Sequence, residues 1–219
     1  MRLGSTALAT ERVERRLAAI LAADVAGYSR LMSADEEGTH ARLRAHLRQL
    51  VDPKIREHGG RTVKNTGDGM LAEFPSVVDA VRCAGEIQYG MIDRNADVPE
   101  DNRISFRIGV NLGDVIVEPQ DIFGDDVNIA ARLEALAEPG GICISRAVRD
   151  RIGERLPYSF EDLESRVSKT LLTRCTSTAF GLRVSPRRAR AERSAQCQRC
   201  RSAPSQGIDR DIAVPEYER

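Results

Sequence analysis

Two aspartates and an asparagine–arginine pair carry the chemistry that this chain advertises. Asp68 lies in Val63–Phe74, VKNTGDGMLAEF. There two apolar, β-prone segments, Arg61–Lys64 and Met70–Phe74, flank a Thr66-Gly67-Asp68-Gly69 tip. Glycines on both sides of an acid mark a hairpin turn able to take positive φ. Such a turn holds the carboxylate rigidly and clear of its neighbours, which suits a divalent cation that wants hard oxygen ligands. An Asp-Gly turn without chemistry is the other reading of this stretch. Asp24 ends the apolar run Leu17–Ala26, LAAILAADVA, which Gly27 stops. A charge at the end of a buried strand is costly unless it is paired, bound to a cation, or capping the next turn. Asn128 and Arg132 are four apart in a helical segment, so both side chains share one face.

The elements that must position these groups follow from periodicity and punctuation. Leu17–Ala26 reads as a buried central strand. Ser33-Ala34-Asp35-Glu36 has the form of a capping box and predicts a helix. That helix carries Leu43, Leu47, Leu50, Val51 and Ile55 on one face, Pro53 kinks it or starts a new turn, and His58-Gly59-Gly60 closes it. His40, His46 and His58 fall on or near it and are expected to be solvated. Ser76 caps a second helix with Val77, Ala80, Val81, Ala84, Ile87 and Met91 inward, and Cys83 as a core filler. Asn95–Asn102 is a loop. Ile104–Val117 reads as two strands that turn at Leu112-Gly113-Asp114, followed by a polar loop, Pro119–Asp126, with Asp121 and Gly124. A third helix spans about Val127–Ala137 and ends at Pro139-Gly140-Gly141. Ile142–Ile144 is a short strand, Ser145 caps a helix to about Leu156, and Tyr158–Leu163 begins another strand. The order β-α-β-β-α-β predicts an α+β fold: a ferredoxin-like split βαβ core, with a mixed, mostly antiparallel sheet and helices packed on one face.

The totals bound the function. Lys+Arg and Asp+Glu are equal at 33 each, so bulk charge favours neither nucleic acid nor a membrane surface as partner. No apolar run approaches the ~18 residues of a membrane span, and the start has no signal-peptide order, so a soluble cytoplasmic protein is the expectation. Five cysteines without a framework argue against a secreted disulfide scaffold. Trp is absent, so the core must be aliphatic. There is no GxxxxGK[ST] phosphate loop, which excludes a P-loop NTPase.

Taken together, LAADVAGYSRLM, VKNTGDGMLAEF, FRIGVNLGDVIV, DIFGDDVNIAARLE and EPGGICIS resemble the class III nucleotidyl cyclase catalytic domain, in that family's order and spacing, from Arg15 to Leu163. The resemblance implies roles by position. Asp24 and Asp68 match the two metal carboxylates and Val25 the backbone carbonyl beside them, which together hold two Mg²⁺ or Mn²⁺ ions. Lys64 and Asp121 match the pair that reads the purine, and this pair favours ATP; guanylyl cyclases typically carry Glu and Cys there. Asn128 matches the residue that orients the ribose, and Arg132 the one that stabilises the phosphates in the transition state. In this family one domain supplies the metal carboxylates and another supplies the remaining groups. A chain that carries all of them implies a head-to-tail homodimer with two shared sites and an inactive monomer. The implied reaction is adenylate cyclase chemistry. Guanylate cyclase, or an inactive nucleotide-binding or dimerising remnant, is the alternative.

After Leu163 the chain leaves the family pattern. Synonymous codons read one base out of register yield GEQSVKDIADPVHVYGFR, the ending such domains carry. A single-base deletion or a sequencing error near that codon is the expectation, and the DNA sequence of the gene decides it. Residues 1–14 are expected to be a flexible lead-in. Residues 164–219 are expected to be a largely disordered tail without the family's closing strand. Lys169 stands where that strand carries a phosphate-binding lysine. Cys197 and Cys200 form half a zinc site with no second pair. The basic run RRARAER is better explained by an unselected reading frame than by nucleic-acid binding.

Overall fold

A computed structural model of the chain describes residues 14–118, 121–163 and 179–183. The centre is β1, Arg15–Val25, an uninterrupted small-aliphatic run whose alternate side chains enter two different cores. Ala19, Leu21, Ala23 and Val25 face one layer, and Ala18, Ile20 and Ala22 face the other. Period-2 alternation on a strand buried on both sides explains why the run shows no polar face.

A short helix α1, Tyr28–Ala34, follows, then α2, Glu36–His46, which runs through a π-helical turn at Leu47–Val51 into α3, Asp52–Glu57. The cap of α2 is Asp35, whose side chain accepts from the Gly38 amide, and not Ser33. Ser33 sits inside α1 and donates to the Ser29 carbonyl. An aspartate with extended backbone one residue before the helix outcompetes the serine of the apparent box. Pro53 falls just where the π-helical turn gives way to α3 on a continuous helical path, so its missing N–H coincides with the change in helical hydrogen bonding.

Strand β2, Arg61–Asn65, and β3, Met70–Phe74, form the expected hairpin, and α4, Val77–Arg94, is capped by Ser76. The apolar stripe of α4 is buried as expected, with Cys83 in it, and burial pushes the Cys83 thiol up to about 12. Gln88 on α4 donates to the carbonyls of Phe106 and Gly141, both at 2.9 Å, and so ties the helix to two strands.

Phe106–Val117 is one continuous strand, β4, and not two strands with a turn. It pairs antiparallel with the whole of β1, from Val25↔Phe106 to Arg15↔Ile116. Gly113 is there for another reason: a Cβ would overlap the Asp126 side chain, whose carboxylate accepts from the Asp114 amide at 3.0 Å. A strand glycine can mark a close approach as well as a bend.

The chain continues with β5, Ile122–Phe123; α5, Asp125–Leu136; β6, Gly141–Ser145; α6, Arg146–Ile152; β7, Glu161–Asp162; and β8, Ala179–Arg183. Helix α6 stops short of Leu156, at Gly153 with φ 51°. The sheet order is β2-β3-β1-β4-β6-β8-β7, with β5 on β4. The β4–β6 pair is parallel and the other pairs are antiparallel. The mixed, mostly antiparallel α+β sheet is therefore present.

The single helical face is not. Residues of α1–α4 and α6 share one core with the sheet, whereas Ala130 and Leu133 of α5 join the cores of the opposite face. Strand β4 offers glycine there: a Cβ on Gly109 would overlap the backbone of Ala130 and Glu134. A segment expected to lack structure supplies β8, which pairs antiparallel with the open edge of β6. Lys169, Cys197 and Cys200 lie outside the described residues, as do residues 1–13. Among the described residues no helix is long and apolar enough to cross a membrane.

Overpacking a tight backbone contact costs about 1–3 kcal/mol. Gly109→Ala should therefore lower the urea midpoint with an unchanged m-value, because α5 must lift off β4. An unaltered midpoint would contradict the close approach.

Candidate functional site

Strand β1 delivers Asp24 to the end of the sheet, and the β2–β3 hairpin brings its tip beside it. Across that turn the Thr66 amide donates to the Gly69 carbonyl at 2.8 Å, with Gly67 at φ 90°. A Cβ on Gly69 would lie 3.3 Å from the Ala23 carbonyl oxygen and 3.7 Å from Oδ1 of Asp24, so the tip rests against the end of β1. Asp68 and Asp24 are partly exposed, as a carboxylate that meets a ligand must be. Val25 turns its side chain into the core, which leaves only its backbone to contribute to a site.

Asp24 is paired. Nη2 of Arg107, its cross-strand neighbour on β4, donates to Oδ2 at 2.6 Å. Nε of the same guanidinium lies 3.2 Å from Oε1 of Glu134 on α5. Neither Nε nor that Oε1 has a hydrogen-bond partner among the described residues. Burial pushes the Glu134 carboxyl up to about 7; Arg107 opposes the shift, and the negative charges of Asp24 and Asp68 add to it. Three carboxylates and one arginine thus share one electrostatic neighbourhood.

Glu134 and Arg107 are absent from the expected site. Ala130 and Leu133 are the buried side of α5, and Glu134 lies beside them toward the sheet, a placement that only the packing of α5 on β4 reveals.

Lys64 reaches Asp121 by way of a β-bulge. Thr62 pairs with Ala72 but Lys64 pairs with Leu71, so two residues of β2 oppose one of β3. Without the extra residue Lys64 would stand opposite Met70, whose side chain enters the α4 layer. With it, Lys64 stands opposite Leu71 and shares the α5 face with Val63 and Ile122. Bulges re-aim side chains in this way beside functional sites. There Nζ of Lys64 donates to Oδ2 of Asp121 at 2.7 Å and lies 5.9 Å from the centre of the Phe123 ring. The other Asp121 oxygen accepts from the Ile122 amide at 2.8 Å. The Lys64 ammonium beside it and that amide hold the Asp121 carboxyl below the usual carboxylate range.

Asn128 and Arg132 do lie on one face of α5, and both are exposed. That face is not the one on which Glu134 meets Arg107, because Arg132 and Glu134 are separated by roughly 200° around the helix. The structure therefore joins Lys64 with Asp121 and brings the hairpin of Asp68 to Asp24, but it turns Asn128 and Arg132 outward. His58 and His46 are not solvated as expected. His58 Nε2 sits 3.3 Å from Glu86, and His46 is half-buried beside Arg94, with its imidazole pKa lowered by burial first and by that arginine second.

The mixed, mostly antiparallel sheet, with Asp24 at the end of β1 beside the β2–β3 hairpin tip, accords with a nucleotidyl cyclase catalytic domain. The comparisons agree: the adenylate and guanylate cyclase catalytic domain family matches residues 11–169, and the chain belongs to that family. A Rhizobium meliloti (strain 1021) protein provisionally named adenylate cyclase 3 is 52% identical over 155 residues. That match covers 71% of this chain but 26% of the relative, so the chain spans about a quarter of that protein's length. The crystal structure of an adenylate/guanylate cyclase/hydrolase from Silicibacter pomeroyi is 45% identical with a TM-score of 0.71, covering 80% of this chain and 100% of that one. The adenylyl cyclase CyaB from P. aeruginosa shares the fold with a TM-score of 0.67 at 21% identity, over 80% of this chain and 98% of that one.

The Lys64–Asp121 bond has a measurable consequence. In a carboxyl-carbon NMR titration Asp121 should have its midpoint below that of an ordinary aspartate and move up in Lys64→Met. Its depressed value means that the stabilisation it lends is present above the unfolded pKa and is lost as pH falls through the folded one. An unmoved midpoint in the variant would contradict the pairing.

Proposed function

We propose that this domain is an adenylate cyclase that converts ATP to 3′,5′-cyclic AMP and pyrophosphate. The observation that carries the choice of nucleotide is the Lys64–Asp121 pair. Its ammonium keeps N–H groups to spare for adenine N1, and its carboxylate keeps lone pairs to accept from the 6-amino group. Guanine presents the reverse pattern at those positions. Holding both groups in one 2.7 Å bond fixes their spacing before the base arrives, and this lowers the ordering cost of recognition.

Asp24, Asp68 and the Val25 carbonyl would hold the two Mg²⁺ or Mn²⁺ ions of this reading. The described residues contain no cluster of three or more acidic, His or Cys side chains able to hold a metal ion. Two hard carboxylates and a carbonyl are nonetheless a set that suits Mg²⁺, which takes few protein ligands and completes its shell with phosphates and water. When bound, such ions polarise the attacking hydroxyl and neutralise phosphate charge.

The remaining work falls to side chains. Asn128 orients the ribose, so that its 3′-oxygen forms a bond to the α-phosphorus in line with the departing pyrophosphate. Arg132 offsets the charge that grows on the phosphates. Both are exposed on α5, on the face turned away from Glu134 and Arg107, which supports their presentation to Asp24 and Asp68 by a second copy. The reading therefore includes a head-to-tail homodimer with shared sites, working as an intracellular, cytoplasmic signalling enzyme.

Purified chain given Mn²⁺ and either ATP or GTP should make cyclic AMP in excess of cyclic GMP. Asp68→Ala should lower the rate by roughly 10²-fold or more. A preference for GTP would overturn the nucleotide assignment. Silence from a folded, dimeric sample would overturn the enzyme and favour a remnant.

A further inference from the structure

Arg107 occupies an unusual position: it neutralises a carboxylate that the proposed reaction requires for a metal ion. Its Nη2 is bonded to Asp24 at 2.6 Å, while its Nε faces Oε1 of Glu134 at 3.2 Å in a geometry that makes no hydrogen bond. Those two buried atoms have no other partner among the described residues. Buried polar atoms of this kind are ordinarily satisfied, so the arrangement holds an acceptor in reserve beside a guanidinium that is bonded elsewhere.

The packing explains how. Gly109 lets the backbone of α5 approach β4 closely at Glu134, and this seats the carboxylate against the strand that carries Arg107. Glu134 is mostly buried, with a side-chain exposure of 14%, against 29% for Arg107 and 24% for Asp24. A small swing of the more exposed guanidinium away from Asp24 would complete its bond to the less exposed Glu134.

We propose that Arg107 is a resident counter-cation that holds the Asp24 carboxylate in place until a divalent ion arrives, and that Glu134 is the positioning residue that then takes up the guanidinium more fully. This rests on the reading of Asp24 as a metal ligand. Without the exchange, the ion would strip Asp24 of its partner and leave the partly buried guanidinium with only its imperfect contact to Glu134. With it, one charge pair replaces another.

The test is Mn²⁺ binding to the full chain without nucleotide, followed by the EPR signal of free Mn²⁺, for wild type, Glu134→Gln, Arg107→Gln and the double variant. Glu134→Gln should weaken Mn²⁺ binding by about tenfold, equivalent to about 1.4 kcal/mol. Arg107→Gln should tighten it, and in that background Glu134→Gln should have no further effect. Equal weakening in both backgrounds would mean that Glu134 acts only through its charge, and the proposal would fail. It would fail equally if Glu134→Gln changed nothing, or if Arg107→Gln bound no better than wild type. Saturable binding by Arg107→Gln where wild type shows none would agree with it; no binding by either would overturn it. If Glu134→Gln does not fold by circular dichroism, the Arg107→Gln result decides alone. Asp24→Asn separates the two readings, since Mn²⁺ binding that survives it removes the metal-ligand assignment itself.

Discussion

The close approach of α5 to β4 is the constraint on which the rest of the structure depends. Gly109 and Gly113 lack the side chains that would hold the helix away, and each faces an α5 residue that a Cβ would strike. Asp126 is locked there by the Asp114 amide and by Asn111, whose amide nitrogen donates to both the carbonyl and the carboxylate of Asp126 at 3.0 Å. With its N-terminal end pinned and its middle pressed onto the strand, the rotation of α5 about its own axis is set. Glu134 must then face Arg107, and Asn128 and Arg132 must face outward.

That rotation divides the candidate groups between surfaces. The hairpin tip, Asp24 and Arg107 belong to one neighbourhood; Asn128 and Arg132 belong to the outer side of the same helix. Lys64 and Asp121 are joined by a bulge that shifts one residue of β2 across the sheet. Sheet register, a missing Cβ and a helix face, each a local feature, therefore decide where charge is available.

Much of this was legible in the chain. The β1 run, the Asn65–Met70 connection of the hairpin and the α4 stripe follow from period and punctuation. The five motifs carried the family. What was not legible has a common physical cause. A glycine in a strand reads the same whether the chain turns or a neighbour crowds it, so Gly113 looked like a turn. A bulge adds a residue without changing composition, so the face of Lys64 could not be read. Glu134 looked like one more charge on a polar helix, because only tertiary contact shows which stripe is buried. Histidines beside Glu86 and Arg94 looked solvated for the same reason.

The most direct measurement mixes two damaged copies. Asp24→Asn removes a group from one surface and Arg132→Ala a group from the other, and each variant alone should be inactive with ATP. An equimolar mixture, allowed to exchange subunits, should recover about a quarter of wild-type cyclic AMP production, since half the dimers are mixed and each has one intact site. A mixture as inactive as its components, while subunit exchange is demonstrated, would contradict a site shared between two copies.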